Sequence, residues 1–193
     1  MEVTGIGAAR REQIIDAAFE LYGEKGIDRT SVKDVAERAG ITRSLFYHYF
    51  DGKEDVTDAI LDRYVQGFVA RVHDWNDSRV ERDVRGALVS CVDVLRELML
   101  GRDVVRNLLL KPENAALYLR FSQRSAETVA RYLADTTAVD YVEFHELEIK
   151  HVYESFYLLI FGLIGYVRTN PDAPSDLLAD LIADTLHLDL SES

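Results

Sequence analysis

The stretch Ile41–Phe50, ITRSLFYHYF, concentrates side chains able to make directional contacts and contains no Asp or Glu. Arg43 can set two parallel donors on a guanine edge, Ser44 can bond a base or a phosphate, and Leu45 can touch a thymine methyl. Tyr47 and His48 can donate to phosphate oxygens. This is the chemistry of reading a DNA major groove. It works only if one short, rigid helix presents these side chains together.

The flanking sequence supplies such a helix. Val32–Phe50 reads VKDVAERAGITRSLFYHYF, which predicts two short helices, Val32–Ala39 and Arg43–Tyr49, crossing at a steep angle. Ala36 is small enough for the crossing, and Gly40 tolerates the positive φ that the turn needs. Val35, Ala39, Ile41, Phe46 and Tyr49 lie at offsets that lock the pair. Thr30-Ser31 offers an N-cap, and Asp34, three residues after Ser31, makes a capping box with Asp in place of Glu. Thr42 caps the second helix. Upstream, Ile14, Ala18, Leu21 and Tyr22, widened by Ile15 and Phe19, predict an amphipathic helix over Ala8–Glu24, ended by Gly26. Asp51-Gly52 turns the chain and Lys53 opens a fourth helix. A helical hairpin with no DNA role shares the small-residue-then-Gly pattern; the aromatic run and the flanking helices weigh against that alternative.

Beyond residue 53 the helices lengthen. Val84, Leu88, Cys91, Leu95, Leu98 and Met99 form one stripe, and Leu117, Phe121, Val129, Tyr132 and Leu133 contribute to another. Ile149, Val152, Phe156, Ile160, Leu163 and Val167 predict a long helix over Asp140–Thr169. After Asn170-Pro171 and Pro174, a last helix is predicted over Ser175–Leu188. No segment alternates with period two. The fold class is therefore all-α: an N-terminal three-helix helix-turn-helix domain, residues 1–52, and a larger helical bundle, residues 53–193.

The 193-residue chain carries a net charge of −12, from 34 Asp+Glu against 22 Lys+Arg. Taken whole, that opposes nucleic-acid binding, which favours basic surfaces. Divided, it does not. Residues 1–54 hold 8 basic and 10 acidic side chains, whereas residues 55–193 hold 14 and 24. From Arg29 to Lys53 there are 5 basic and 3 acidic. Helix N-termini at Ser31, Thr42 and Lys53 can add backbone N–H contacts to phosphates. Few phosphates are neutralised per subunit, so non-specific DNA affinity is expected to be weak. One Cys excludes an intrachain disulfide. The N-terminus lacks a secretory pattern. The longest nearly uncharged apolar run, Phe156–Val167, is short of the ~20 residues that span a bilayer. A cytoplasmic chain with no membrane partner is expected.

From about Ile14 to Asp55 the chain resembles the N-terminal domain of the tetracycline-repressor (TetR) family of bacterial transcription regulators. The resemblance rests on Phe19, Gly23, Gly26, Thr30-Ser31, Val35-Ala36, Ala39-Gly40-Ile41, Tyr47-His48-Tyr49-Phe50 and Lys53-Glu54, in order and spacing. Leu45 stands where many members carry a small or polar residue. The resemblance implies a DNA-binding regulator, most often a repressor, acting as a homodimer on a palindromic double-stranded operator and responding to a small-molecule effector. The candidate DNA contacts are Thr30, Ser31, Thr42, Arg43, Ser44, Leu45, Tyr47, His48 and Lys53. In such proteins the last two long helices form a four-helix dimer interface, for which Leu158, Phe161, Gly162, Gly165, Leu178 and Ile182 are candidates. Polar or aromatic residues inside apolar stretches, namely Cys91, Tyr118, Phe121, His151, Ser155 and Tyr157, are the effector candidates; for each, a core role is the alternative. Trp75 reads equally as packing at a helix end. The competing reading of the whole is a helical ligand-binding or protein-interaction module whose N-terminal unit is only structural. An activator would carry the same head.

Other chemistry has little support. Glu143, His145, Glu146, Glu148 and His151 cluster, and Glu148 and His151 have metal-ligand spacing. Without HExxH or paired Cys they read as a solvated acidic face, so no metal or cofactor is expected. Gly5-Ile6-Gly7 lacks a preceding strand and a third Gly. No Walker or Gly-x-Ser-x-Gly sequence is present, and no enzyme activity is expected.

Overall fold

In a computed structural model, the structure describes residues 2–80, 83–100, 104–143, 147–188 and 190. The helices are α1 (Glu2–Lys25), α2 (Val32–Arg38), α3 (Arg43–Tyr49), α4 (Lys53–Ser78), α5 (Val84–Leu100), α6 (Val104–Leu109), α7 (Ala115–Asp135), α8 (Thr137–Val142), α9 (Val152–Thr169) and α10 (Ser175–Leu186). A 3-10 turn, Pro112–Asn114, precedes α7. Among the described residues there is no strand, and no helix is long and apolar enough to cross a membrane.

The chain forms two compact units, Met1–Tyr64 with Arg102–Ala115, and Val65–Gly101 with Ala116–Ser193. The first runs past residue 52 because the opening turns of α4 are part of its core. Ile14, Ile15, Ala18, Leu21 and Tyr22 of α1 are buried with Val35 and Ala36 of α2, Phe46 of α3, and Val56, Ile60 and Leu61 of α4. The Tyr22 hydroxyl reaches Thr57 Oγ1 at 2.8 Å. Burial pushes its pKa up to about 12, against the opposing pull of that bond. α6 also packs on α1, with Leu108 and Leu109 buried.

Local chemistry sets the boundaries of the short helices. Gly26 and Gly40 take positive φ of 85° and 62°, after α1 and after α2. At the start of α2, the Ser31 N–H donates to Asp34 Oδ2 at 2.7 Å while Ser31 Oγ accepts from the Asp34 N–H at 3.2 Å. Thr42 Oγ1 accepts from the Leu45 N–H at 3.1 Å to start α3. Bonds from the Ser31 side chain and backbone, and from Lys25, hold the Asp34 carboxyl well below its usual range. A carboxylate depressed by folding contributes stability above its unfolded pKa and loses it as pH falls through the folded one. The stability gap between the native chain and Asp34→Asn is therefore expected to be full above pH ~4 and to close at lower pH. Urea midpoints measured across that range test it, and a gap that stays constant contradicts it.

In the second unit, α5 packs on both α9 and α10. α7 buries Leu117, Phe121, Ser122, Ser125, Ala126, Val129, Ala130 and Leu133 along one stripe. Arg85 bonds Asp180 at 2.9 Å and Asp176 at 3.3 Å. Arg96 binds the carbonyls of Ala173 and Pro171. Ser175 Oγ donates to Asp93 at 2.7 Å. These bonds fasten the start of α10 to α5.

One expected element differs. Asp140–Thr169 is not one helix, because α8 ends at Val142 and α9 begins at Val152. Leu147 and Ile149 are both half-buried. Two residues apart, they would point about 200° apart on a helix, whereas residues 147–150 are non-helical. Ile149 therefore stands outside the α9 stripe. His145 and Glu146 of the acidic cluster, and the side chain of Leu98, lie outside the described residues. Among the described residues no group of His, Cys, Asp and Glu could hold a metal ion.

Candidate nucleic-acid interface

The turn between α2 and α3 is held from three sides. The Ile41 N–H donates to the Ala36 carbonyl at 2.9 Å and the Gly40 N–H to that of Glu37 at 3.1 Å. From α1, Gln13 Nε2 donates to the Ala39 carbonyl at 2.9 Å. Arg38 binds Glu24 in a two-pronged pair at 2.9 and 2.8 Å and reaches Glu20 at 3.0 Å, tying α2 to α1. Phe46, fully buried, anchors α3 from below and meets Tyr47 edge-on at 5.5 Å and Phe50 at 5.8 Å. Arg11 covers the Phe50 ring at 5.0 Å. Gln13 gave no sequence signal, since a lone Gln on a polar helix face is ordinary.

With Phe46 inward, positions 43, 44, 47 and 48 share the opposite face of α3. Arg43, Ser44, Tyr47 and His48 are all exposed. Among the described residues Arg43 has no internal hydrogen bond or ion pair, so its five donors face solvent. Thr42, exposed at the N-cap, uses its oxygen as acceptor, and its hydroxyl proton stays available. Leu45 is half-buried at the edge of this face.

Three other candidates are placed differently. Thr30 is buried, and its hydroxyl donates to the Gly26 carbonyl at 2.8 Å, so it supports the turn after α1 and does not reach solvent. Lys53 sends its ammonium to the Ile27 carbonyl at 3.0 Å. Ser31 is exposed, but its hydroxyl and N–H are both engaged by Asp34, itself paired with Lys25 at 3.0 Å. That carboxylate already serves the positive end of α2. The exposed polar set on α3 and its N-cap is thus Thr42, Arg43, Ser44, Tyr47 and His48.

The effector candidates are not brought together. Cys91 lines a crevice of about 50 Å³ with Phe68, Val72, Ile160 and Leu163. Burial pushes its thiol up to about 12, the value of an inert core thiol. Phe121 is buried edge-on to Phe68 at 6.4 Å. The Tyr118 hydroxyl donates to the Ile164 carbonyl at 3.2 Å, under the Arg168 guanidinium at 3.9 Å from its ring. Tyr157 stacks on Phe161 at 6.1 Å along α9, Ser155 is half-buried, and His151 is exposed at the α9 N-cap. A separate cavity of about 390 Å³ opens between the end of α4, the start of α5 and α8, and none of these six lines it.

The interface candidates divide. Leu178 and Ile182 are buried within the chain's own core, because the face of α10 that carries them is the one packed inward. Leu158 is 69% exposed, Gly162 is exposed, and Phe161 and Gly165 are half-buried. Tyr166, Leu177 and Leu181, which were not among the candidates, are also exposed. α10 has two adjacent apolar stripes, 177/181 and 178/182, and the outer one was the available signal.

Residues 14–60 match the family described as bacterial regulatory proteins, tetR family. The transcriptional repressor KstR2 of Mycobacterium tuberculosis (strain ATCC 25618 / H37Rv) is 34% identical over 76 residues, 39% of this chain and 38% of the repressor. The matched part therefore spans well under half the length of that relative. The transcriptional repressor ComR of Escherichia coli (strain K12) is 24% identical over 188 residues, covering 92% of this chain and 88% of ComR. Among solved structures, the TetR family repressor AlkX from Dietzia sp. strain DQ12-45-1b superposes with a TM-score of 0.63 at 18% identity, covering 92% of this chain and 94% of AlkX. At that identity the likeness is one of fold.

Proposed function

We propose, for a chain that belongs to the TetR family of bacterial regulatory proteins, that it controls transcription as a ligand-responsive repressor, binding a palindromic operator as a homodimer through α3. The observation that carries this reading is the outer face of α3. It presents Arg43, Ser44, Tyr47 and His48 to solvent with no carboxylate in Ile41–Phe50. A helix of seven residues reads only a few base pairs. Two copies related by a twofold axis read an inverted repeat, which is how useful specificity arises.

The exposed apolar residues support the dimer. Leu158, Gly162 and Tyr166 line one outward stripe of α9, and Leu177 and Leu181 one of α10. Apolar area of that kind on two adjacent helices suits a self-complementary, isologous contact. A small-molecule effector would act by preferring the dimer geometry whose α3 spacing does not fit the operator, and its differential affinity would set the size of the response.

Sedimentation of the full chain is expected to show a dimer at micromolar concentration. Leu158→Glu is expected to weaken dimerisation at least tenfold, about 1.4 kcal/mol, and to weaken binding to a full inverted repeat more than to a half-site. A native chain that sediments as a monomer, or a variant with unchanged association, overturns the dimer.

A further inference from the structure

The cavity of about 390 Å³ in the second unit lies within the size range of small-ligand sites. Its floor is Trp75, only 8% exposed, whose indole N–H is bonded to the Ala87 carbonyl at 3.0 Å and to Ser90 Oγ at 3.1 Å. Those bonds fix the ring at the cavity wall. The guanidinium of Arg79 lies 5.6 Å from the ring centroid, and its Nη2 donates to Asp140 Oδ2 at 3.1 Å. The Thr137 hydroxyl donates to Asn76 Oδ1 at 2.6 Å, joining α8 to α4 beside the opening. Named bonds therefore join all three walls, α4 to α5 and α4 to α8.

The charge of the lining is one-sided. Among the described residues Arg79 faces three carboxylates, Asp83, Asp140 and Glu143, and no Lys or His lines the cavity. Asp140 is paired with Arg79, and Asp83 Oδ1 accepts the Gly86 N–H at 2.8 Å. Glu143 is exposed at the rim. A carboxylate ligand entering here would meet an excess of like charge among the described lining residues, whereas a cation would meet opposite charge. Val84, Leu88 and Leu188 supply apolar wall for the rest of a ligand.

We propose that this cavity binds a small organic cation carrying an apolar body of about one aromatic ring. Occupancy joins the end of α4 to the start of α5, one residue before Arg85, the side chain that holds α10 through Asp176 and Asp180. The effect of occupancy on DNA rests on the ligand-responsive reading above; binding itself does not.

Trp75 is the only tryptophan in the chain, so its fluorescence reports this site directly. Titration of the full chain with benzyltrimethylammonium is expected to change that emission saturably, and 3-phenylpropanoate, of similar size and opposite charge, is expected to bind at least about tenfold more weakly. The double substitution Asp83→Asn, Glu143→Gln is expected to weaken the cation by about threefold to tenfold, since each carboxylate is solvent-exposed. Thermal unfolding confirms that the variant is folded. Equal or tighter binding of the anion, no saturable change with the cation, or an unchanged affinity in the double variant overturns the proposal. Operator binding is measured separately with and without the cation. Binding without any effect on DNA leaves the site standing and counts against ligand response through it.

Discussion

Arg43→Ala is expected to weaken binding to a selected operator by at least ~30-fold, with no change in folding stability. A bidentate arginine–guanine contact contributes about 1–3 kcal/mol of discrimination, and a symmetric dimer loses two of them, about 2–6 kcal/mol in all. Because the side chain makes no internal bond among the described residues, its removal leaves a surface change within about 0.5 kcal/mol. Arg43→Lys is expected to restore little, since an ammonium cannot supply two parallel donors. Lys33→Ala is the control: Lys33 is exposed on α2 and paired with Glu37 at 3.7 Å, so its loss should cost less. Fluorescence anisotropy at fixed salt checks the series, salt being fixed because phosphate contacts vary steeply with it. Equal losses for Arg43→Ala and Lys33→Ala would assign Arg43 to general attraction and not to base reading.

Phe46→Ala is expected to act through the opposite face of the same helix, lowering stability by about 3–5 kcal/mol. The side chain is wholly buried and holds ring contacts with Tyr47 and Phe50. Edge-on pairs of this kind contribute beyond their buried area. Against a typical total of about 5–15 kcal/mol the loss is severe, and operator binding should fail with it. Tyr47→Ala separates the two effects: its ring is 50% exposed, so DNA affinity should fall while the urea midpoint moves much less. Matching urea midpoints for Phe46→Ala and the native chain contradict the anchoring role of Phe46.

The reading head was legible because its boundaries are written in local chemistry. Ser31 with Asp34, Thr42, Gly26 and Gly40 each act within four residues, so α2 and α3 could be placed nearly to the residue. The helical bundle gives fewer such marks. Between α8 and α9 there is no Pro or Gly, so no local signal marks the break. Leu178 and Ile182 against Leu177 and Leu181 is a choice between adjacent stripes of equal hydrophobicity, decided by which face meets α5 and α9. Thr30 and Lys53 have the residue types of phosphate ligands, but the Thr30 hydroxyl and one N–H of the Lys53 ammonium bond backbone carbonyls of the turn after α1. The cavity joins residues over a hundred positions apart, from Trp75 to Leu188, and no local pattern announces it. Net charge misleads in the same way: the carboxylates that dominate the total lie outside Ile41–Phe50, the segment that carries the outer face of α3.

Selection of full-length protein on a pool of randomised duplexes, run in parallel with Arg43→Ala and read by sequencing, tests the central claim most directly. The native chain is predicted to enrich an inverted repeat with a guanine at one position of each half-site, and Arg43→Ala to lose preference at those two symmetric positions while keeping the rest. Enrichment of no motif by the native chain, or an identical motif from both proteins, would contradict the assignment of α3 as the reading helix.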